Sequence, residues 1–164
     1  MPHKRRIQTE TTEMKTLKQH INEALKIGKN LSEWSAYSCQ PNTKKELEQI
    51  IEDRIYKEGP NCDLNDIDIS QITDMSYLFY GSKFDGDISR WDVSNVINMT
   101  GMFDRSKFNQ DISNWDVSKV KKMDFMFCFS KFNQDISKWK IDKDCNTDDM
   151  FEDCPIRDEY KPKL

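Results

Sequence analysis

The chain has 164 residues, 36% hydrophobic and 33% charged, with 25 Lys and Arg against 29 Asp and Glu and a net charge of −4. That length supports one main folded unit with its own core, and the mild acidic balance excludes recognition of nucleic acid or an anionic membrane through overall charge. No apolar run of about 18 residues occurs and the start MPHKRRIQTETTEMKTLKQH lacks the apolar region of a secretory signal, so neither a membrane-spanning helix nor export is expected, and the location expected is cytoplasmic.

Residues 1–41 read as an N-terminal segment, partly flexible, with one short amphipathic helix in MKTLKQHINEALKI, where Leu17, Ile21 and Leu25 recur at i, i+4 and i+8. Residues 42–59 read as a capping helix. Asn42 or Thr43 is its N-cap, Glu46 stands three residues after Thr43, Leu47, Ile50, Ile51 and Ile55 form one stripe, and Gly59 and Pro60 are the stop. From 60 to 155 the chain repeats itself. KFDGDISRWDVSNVINMTGMFDRS is followed by KFNQDISNWDVSKVKKMDFMFCFS and KFNQDISKWKIDKDCNTDDMFEDC. Phe84, Phe108 and Phe132 thus recur every 24 residues, as do Trp91, Trp115 and Trp139, and Phe79, Phe103, Phe127 and Phe151. The preceding stretch PNCDLNDIDISQITDMSYLFYGS fits the same register through Leu64, Ile67, Ile69, Ile72, Met75 and Phe79, which makes four coils. Residues 156–164 read as a C-terminal tail, with RDEYKPKL expected to fray.

Within a coil, Ile88, Trp91 and Val93, with Asp92 facing outward, have the spacing of a short strand, whereas Val96, Met99, Met102 and Phe103 have that of a helical face. The expected fold is therefore an α/β repeat. It is a short leucine-rich-repeat-like solenoid of about four coils, with parallel strands on one side, short helices on the other, and an N-terminal helical cap over its open apolar end.

FNQDISNWDVSKV followed by MxxMF resembles the repeat carried in many copies by mycoplasma surface lipoproteins and related bacterial surface proteins, grouped with bacterial leucine-rich-repeat-like families. The likeness runs through the coils and weakens in the fourth, where Trp139, Lys140, Ile141 and Asp142 replace WDVS and Thr147 replaces the first Met. It implies an exported, adhesive protein of many coils, against which stand the missing signal and the four coils. The opening of the chain resembles the short helical starts of bacteriophage and gut-bacterial proteins, which implies a phage or mobile-element origin and, in that case, action in the host cytoplasm.

The five cysteines, Cys39, Cys62, Cys128, Cys145 and Cys154, include no CxxC pair, so reduced thiols are expected rather than a disulfide framework or a zinc site. Asp63, Asp87, Asp111 and Asp135 form a ladder that reads either as a calcium spine or as carboxylates accepting the N–H groups of their own turns; the Gly-rich nonapeptide of calcium-binding solenoids is missing. Trp91, Trp115 and Trp139 share the inward phase of Ile88 and Val93 and read as core, with a carbohydrate-stacking platform as the alternative. His3 and His20 stand alone, and no G-x-S-x-G, P-loop or H-E-x-x-H occurs, so no catalytic, cofactor or metal site is expected.

Two surfaces remain. The outward strand face changes sign along the coils, from Asp66 and Asp68 through Arg90, Asp92, Asn114, Asp116 and Lys119 to Lys138, Lys140 and Lys143. The helical side gathers Tyr77, Tyr80, Phe125 and Phe129. Either suits a partner protein, so the expected function is a non-enzymatic protein-binding repeat module. If the chain is phage-encoded, it acts on a host protein complex, for example as an inhibitor of host defence. The alternative is a virion or cell-surface component binding a receptor or glycan. No membrane or nucleic-acid partner is expected.

Overall fold

A computed structural model of the protein describes residues 40–163. The helix expected over residues 14–27 lies outside the described residues.

Helix α1 spans Lys44–Glu58 and begins at a capping box. The Thr43 hydroxyl accepts the Glu46 N–H at 3.2 Å, and the Glu46 carboxylate accepts the N–H groups of Thr43 and Asn42 at 3.2 and 2.8 Å. Gly59 ends the helix because the chain there takes φ 92, a left-handed conformation that glycine adopts without a Cβ penalty. Leu47 and Ile51 join the core, with Ile50 and Ile55 packed beside them. Two cations tie α1 to the first coil. Lys44 Nζ bonds Ser76 Oγ at 3.0 Å and the Ser76 carbonyl, and Arg54 bonds Asp66 Oδ2 and the Asp63 carbonyl, both at 2.8 Å.

The four coils run over residues 60–83, 84–107, 108–131 and 132–155. Among the described residues they contain neither strand nor helix, which overturns the α/β leucine-rich-repeat-like solenoid. Each coil is a run of β-turns. In the second, the N–H groups of Trp91, Val96, Met102, Asp104 and Ser106 return to the carbonyls of Ile88, Val93, Met99, Gly101 and Phe103 at 2.9–3.1 Å. The same five turns recur in the first and third coils, and in the fourth with one displaced to Asp142–Cys145. That shift has a local cause: Lys140 stands where Asp116 caps its turn in the third coil, and Asp142 takes over the capping by accepting the Asp144 N–H at 2.8 Å.

Ile88, Trp91, Val93, Val96, Met99 and Met102, which begin and end these turns, are all buried. A succession of turns therefore produces apolar spacings of three broken by a spacing of two, the same spacings that suggested helix and strand. Neighbouring coils are joined through alternate residues. The N–H groups of Met99, Gly101, Phe103 and Arg105 bond the carbonyls of Lys122, Asp124, Met126 and Cys128 at 2.8–2.9 Å. The carbonyls of Met99, Gly101 and Phe103, which a parallel ladder would also need, are already held by their own turns. Only isolated parallel bridges form, linking Asp74, Asn98, Lys122 and Asn146 in a column.

Aromatic stacking fills the interior. The rings of Phe79, Phe103, Phe127 and Phe151 follow one another at 5.6, 5.6 and 5.8 Å, and Phe84, Phe108 and Phe132 pack alongside at 4.7, 4.3 and 4.2 Å. Trp91, Trp115 and Trp139 are buried and aim Nε1 at the carbonyl of Leu64, Ile88 or Ile112 in the coil before, at 2.9, 3.3 and 3.1 Å. One coil alone covers none of these rings; stacking does. The tail carries the register a step further instead of fraying. Ile156 is buried one repeat beyond Phe132, the Arg157 N–H bonds Asn133 Oδ1 at 3.2 Å, and the Tyr160 carbonyl accepts the Ile136 N–H at 3.0 Å.

Candidate functional site

The outward positions read as a strand face lie at turn corners, and most of the acidic ones serve the fold. Asp68, Asp92 and Asp116 accept the N–H groups of Ser70, Ser94 and Ser118 at 3.0, 3.1 and 3.1 Å, and Asp66 holds Arg54 of α1. The ladder of Asp63, Asp87, Asp111 and Asp135 does the same, accepting the N–H groups of Asn65, Ser89, Ser113 and Ser137 at 2.8, 2.8, 2.9 and 2.9 Å. The Ser89 and Ser137 N–H groups hold the Asp87 and Asp135 carboxyls below the usual carboxylate range, and the Ser94 and Ser118 hydroxyls, then their N–H groups, do so for Asp92 and Asp116.

The backbone N–H of Arg90 bonds Asn65 Oδ1 at 2.8 Å, and Lys119 Nζ reaches Asn95 Oδ1 at 3.3 Å, so these positions link coil to coil. Asn114, Lys138, Lys140 and Lys143 are exposed, and among the described residues none of the three lysines forms an ion pair.

The other side of the coils is built differently. The third residue of two turns in each coil has positive φ, the mark of a type II turn. The first column is Tyr77 at 56°, Gly101 at 58°, Phe125 at 59° and Asp149 at 51°; the second, four residues on, is Gly81 at 62°, Arg105 at 57°, Phe129 at 52° and Asp153 at 48°. Holding a bulky residue in this region costs about 1–3 kcal/mol. Glycine, aspartate or arginine occupies the other five positions, yet the chain places Tyr77, Phe125 and Phe129 in the remaining three with 51%, 37% and 42% of their surface exposed.

These aromatics have company. Tyr80 meets the Tyr77 ring edge-on at 6.0 Å, and the Arg105 guanidinium lies over the Phe129 ring at 4.7 Å. Gly101 is buried beneath Tyr77, where an added Cβ would come within 2.4 Å of that ring. Tyr77 and Tyr80 also line one wall of a cleft of about 420 Å³ against Ile51, Ile55, Glu48 and Glu52 of α1. The aromatics that the sequence had placed on a helical side thus lie at or beside the left-handed positions, Tyr77 and Tyr80 in the first coil and Phe125 and Phe129 in the third, and the side is made of turns. Arg105, Asp149 and the cleft escaped the sequence reading. Gly101 in the first column and Gly81 in the second were the available signal for the two left-handed positions of each coil.

Elsewhere the chemistry is closed in. Burial, with Asp104 and Glu152 nearby, pushes the Cys128 thiol up to about 11. Among the described residues no group of three His, Cys, Asp or Glu side chains is placed to hold a metal ion.

No curated protein matches the chain, and no solved structure matches it. One family does, over residues 45–160, a range running from the start of α1 through all four coils into the packed tail. The chain belongs to that family, described as Mycoplasma protein of unknown function, DUF285.

Proposed function

We propose that the chain is a non-enzymatic protein-binding module and that its partner seats on the face carrying Tyr77, Tyr80, Phe125 and Phe129. One observation carries this reading. Phe125 and Phe129 occupy left-handed backbone positions that Gly81, Gly101, Asp149 and Asp153 fill at lower steric cost in sister coils, and they spend that strain on exposed aromatic surface. Grouped aromatics with an adjacent arginine are what the centres of protein interfaces favour.

A second reading places the partner on Lys138, Lys140 and Lys143, whose ammonium groups have no ion-pair partner among the described residues. A receptor on a cell or virion surface, rather than an intracellular host complex, is compatible with either face.

The two faces separate experimentally. The full chain, immobilised, is offered a lysate of the producing cells and, in parallel, the chain itself, and bound protein is quantified. Phe125→Asn with Phe129→Asn, chosen because asparagine tolerates the left-handed region, abolishes capture, while Lys138→Glu, Lys140→Glu and Lys143→Glu together leave it intact. Loss of capture only in the lysine variant would refute the aromatic face.

A further inference from the structure

The stack has a direction. Each coil gives alternate N–H groups to the coil after it: those of Met123, Phe125, Phe127 and Phe129 bond the carbonyls of Asn146, Asp148, Met150 and Glu152 at 2.7–2.9 Å. In the fourth coil the matching donors are Thr147, Asp149, Phe151 and Asp153, and among the described residues they have no acceptor. Their own coil offers none, because the carbonyls of Thr147, Asp149 and Phe151 already hold the N–H groups of Met150, Glu152 and Cys154 at 3.1–3.2 Å. The tail covers the start of this coil, where Ile156 is buried and the Tyr160 carbonyl takes the Ile136 N–H. Further along, Phe151 stays partly exposed, with Lys161 Nζ over its ring at 5.8 Å.

The charge changes at the same edge. Asp124, Phe125, Cys128 and Phe129 of the third coil give way to Asp148, Asp149, Glu152 and Asp153, all exposed and, among the described residues, none in an ion pair. We propose that this edge receives an extended, basic segment of another protein, which continues the stack as a fifth layer. An extended chain presents carbonyls at alternate residues, as the row of free donors requires, and sends its side chains alternately to two sides. Apolar side chains on one side prolong the stack over Phe151, and lysine or arginine on the other meets the four carboxylates. An open edge invites indiscriminate pairing; the carboxylates restrict it to cationic segments. A second copy of this chain does not fit. Two copies meeting at this edge set donors against donors, and the carbonyl side of the first coil, which a head-to-tail stack needs, is covered by α1 through Lys44 and the Ser76 carbonyl.

Amide hydrogen exchange, read residue by residue by NMR on the full chain, tests the edge directly. Without ligand, the amides of Thr147, Asp149, Phe151 and Asp153 exchange much faster than those of Met123, Phe125, Phe127 and Phe129. A short amidated peptide of alternating Lys and Val binds and slows those four amides by at least about tenfold, whereas its counterpart of alternating Glu and Val does not bind. Asp148→Asn, Asp149→Asn, Glu152→Gln and Asp153→Asn together, asparagine being tolerated at the two left-handed positions, weaken binding of the lysine peptide at least about tenfold. A thermal melt establishes that this variant is folded.

Four amides as slow in the free chain as their counterparts in the third coil overturn the proposal, and so does a lysine peptide that binds without slowing them. Equal binding of the two peptides, or a neutralised variant that binds like the parent, removes the role of the carboxylates. If neither peptide binds, the acidic rim guards the edge and receives nothing. Protection that rises with protein concentration in the absence of peptide would make the occupant a second copy.

Discussion

Trp115 tests the stack most directly, because its ring and its N–H do separable work. The indole is 4% exposed, stacks on Trp139 at 6.4 Å and donates from Nε1 to the Ile88 carbonyl of the previous coil at 3.3 Å. Trp115→Ala removes a large packed aromatic and costs about 3–5 kcal/mol. Trp115→Phe keeps a ring but loses the hydrogen bond. The Ile88 carbonyl also accepts the Trp91 N–H at 3.1 Å, so it is not left unpaired. Loss of the bond then costs about 1 kcal/mol, near the ordinary net value, and the smaller ring forfeits roughly 1 kcal/mol of burial. The expected order is the parent, then Phe about 2 kcal/mol lower, then Ala. Urea denaturation followed by circular dichroism, compared at equal m-value, measures it. A Phe variant as damaged as the Ala variant would mean that the hydrogen bond, and not the ring, joins the coils. An Ala variant within about 1 kcal/mol of the parent would refute the buried ladder altogether.

Two glycines should respond differently to alanine. A Cβ on Gly86 would lie 2.0 Å from the Cys62 carbonyl oxygen, a backbone atom with little freedom to yield, whereas one on Gly81 meets nothing within 4 Å and suffers only its φ of +62°. Gly86→Ala should cost about 3 kcal/mol or more and Gly81→Ala about 1 kcal/mol, and equal thermal shifts would contradict the close approach of the first two coils at Gly86. The pH profile of stability has two flanks of opposite sign. The turn-capping carboxylates Asp87, Asp92, Asp116 and Asp135 titrate lower when folded, so their contribution is complete above the unfolded value of about 4 and fades as the pH falls through their folded values. Cys128 titrates higher when folded, about 11 against 9.0, so its contribution is present below 9.0 and disappears as the pH rises toward 11. Denaturation midpoints across pH measure both flanks, and Cys128→Ser should flatten only the alkaline one.

Much of the architecture was legible as period and phase. The 24-residue recurrence of Phe84, Trp91 and Phe103 identified the stacked coils and their inward faces, because burial acts on each side chain wherever the backbone turns. Helix α1 was equally legible, since Thr43, Glu46 and Gly59 act within a few residues of one another. The local nature of the coil was not. Spacings of three and two suit helix, strand and β-turn alike, and the choice depends on bonds such as Met99 N–H to the Lys122 carbonyl, which exist only once the coils are stacked.

The same holds for the candidate site. Repeat register placed Phe125 and Phe129 on one side, but nothing in a phenylalanine announces positive φ, and the only hint of it was a glycine in each column, Gly101 and Gly81. Nor could spacing alone show that Asp66, Asp68, Asp92 and Asp116 are occupied by Arg54 and by turn N–H groups. By itself the sequence determined which side chains face inward, since that follows from hydrophobicity and repeat length. Only the tertiary structure decided which polar groups stay free and which aromatics stay exposed, because hydrogen bonds between residues a coil apart consume the former and stacking fixes the conformation that displays the latter.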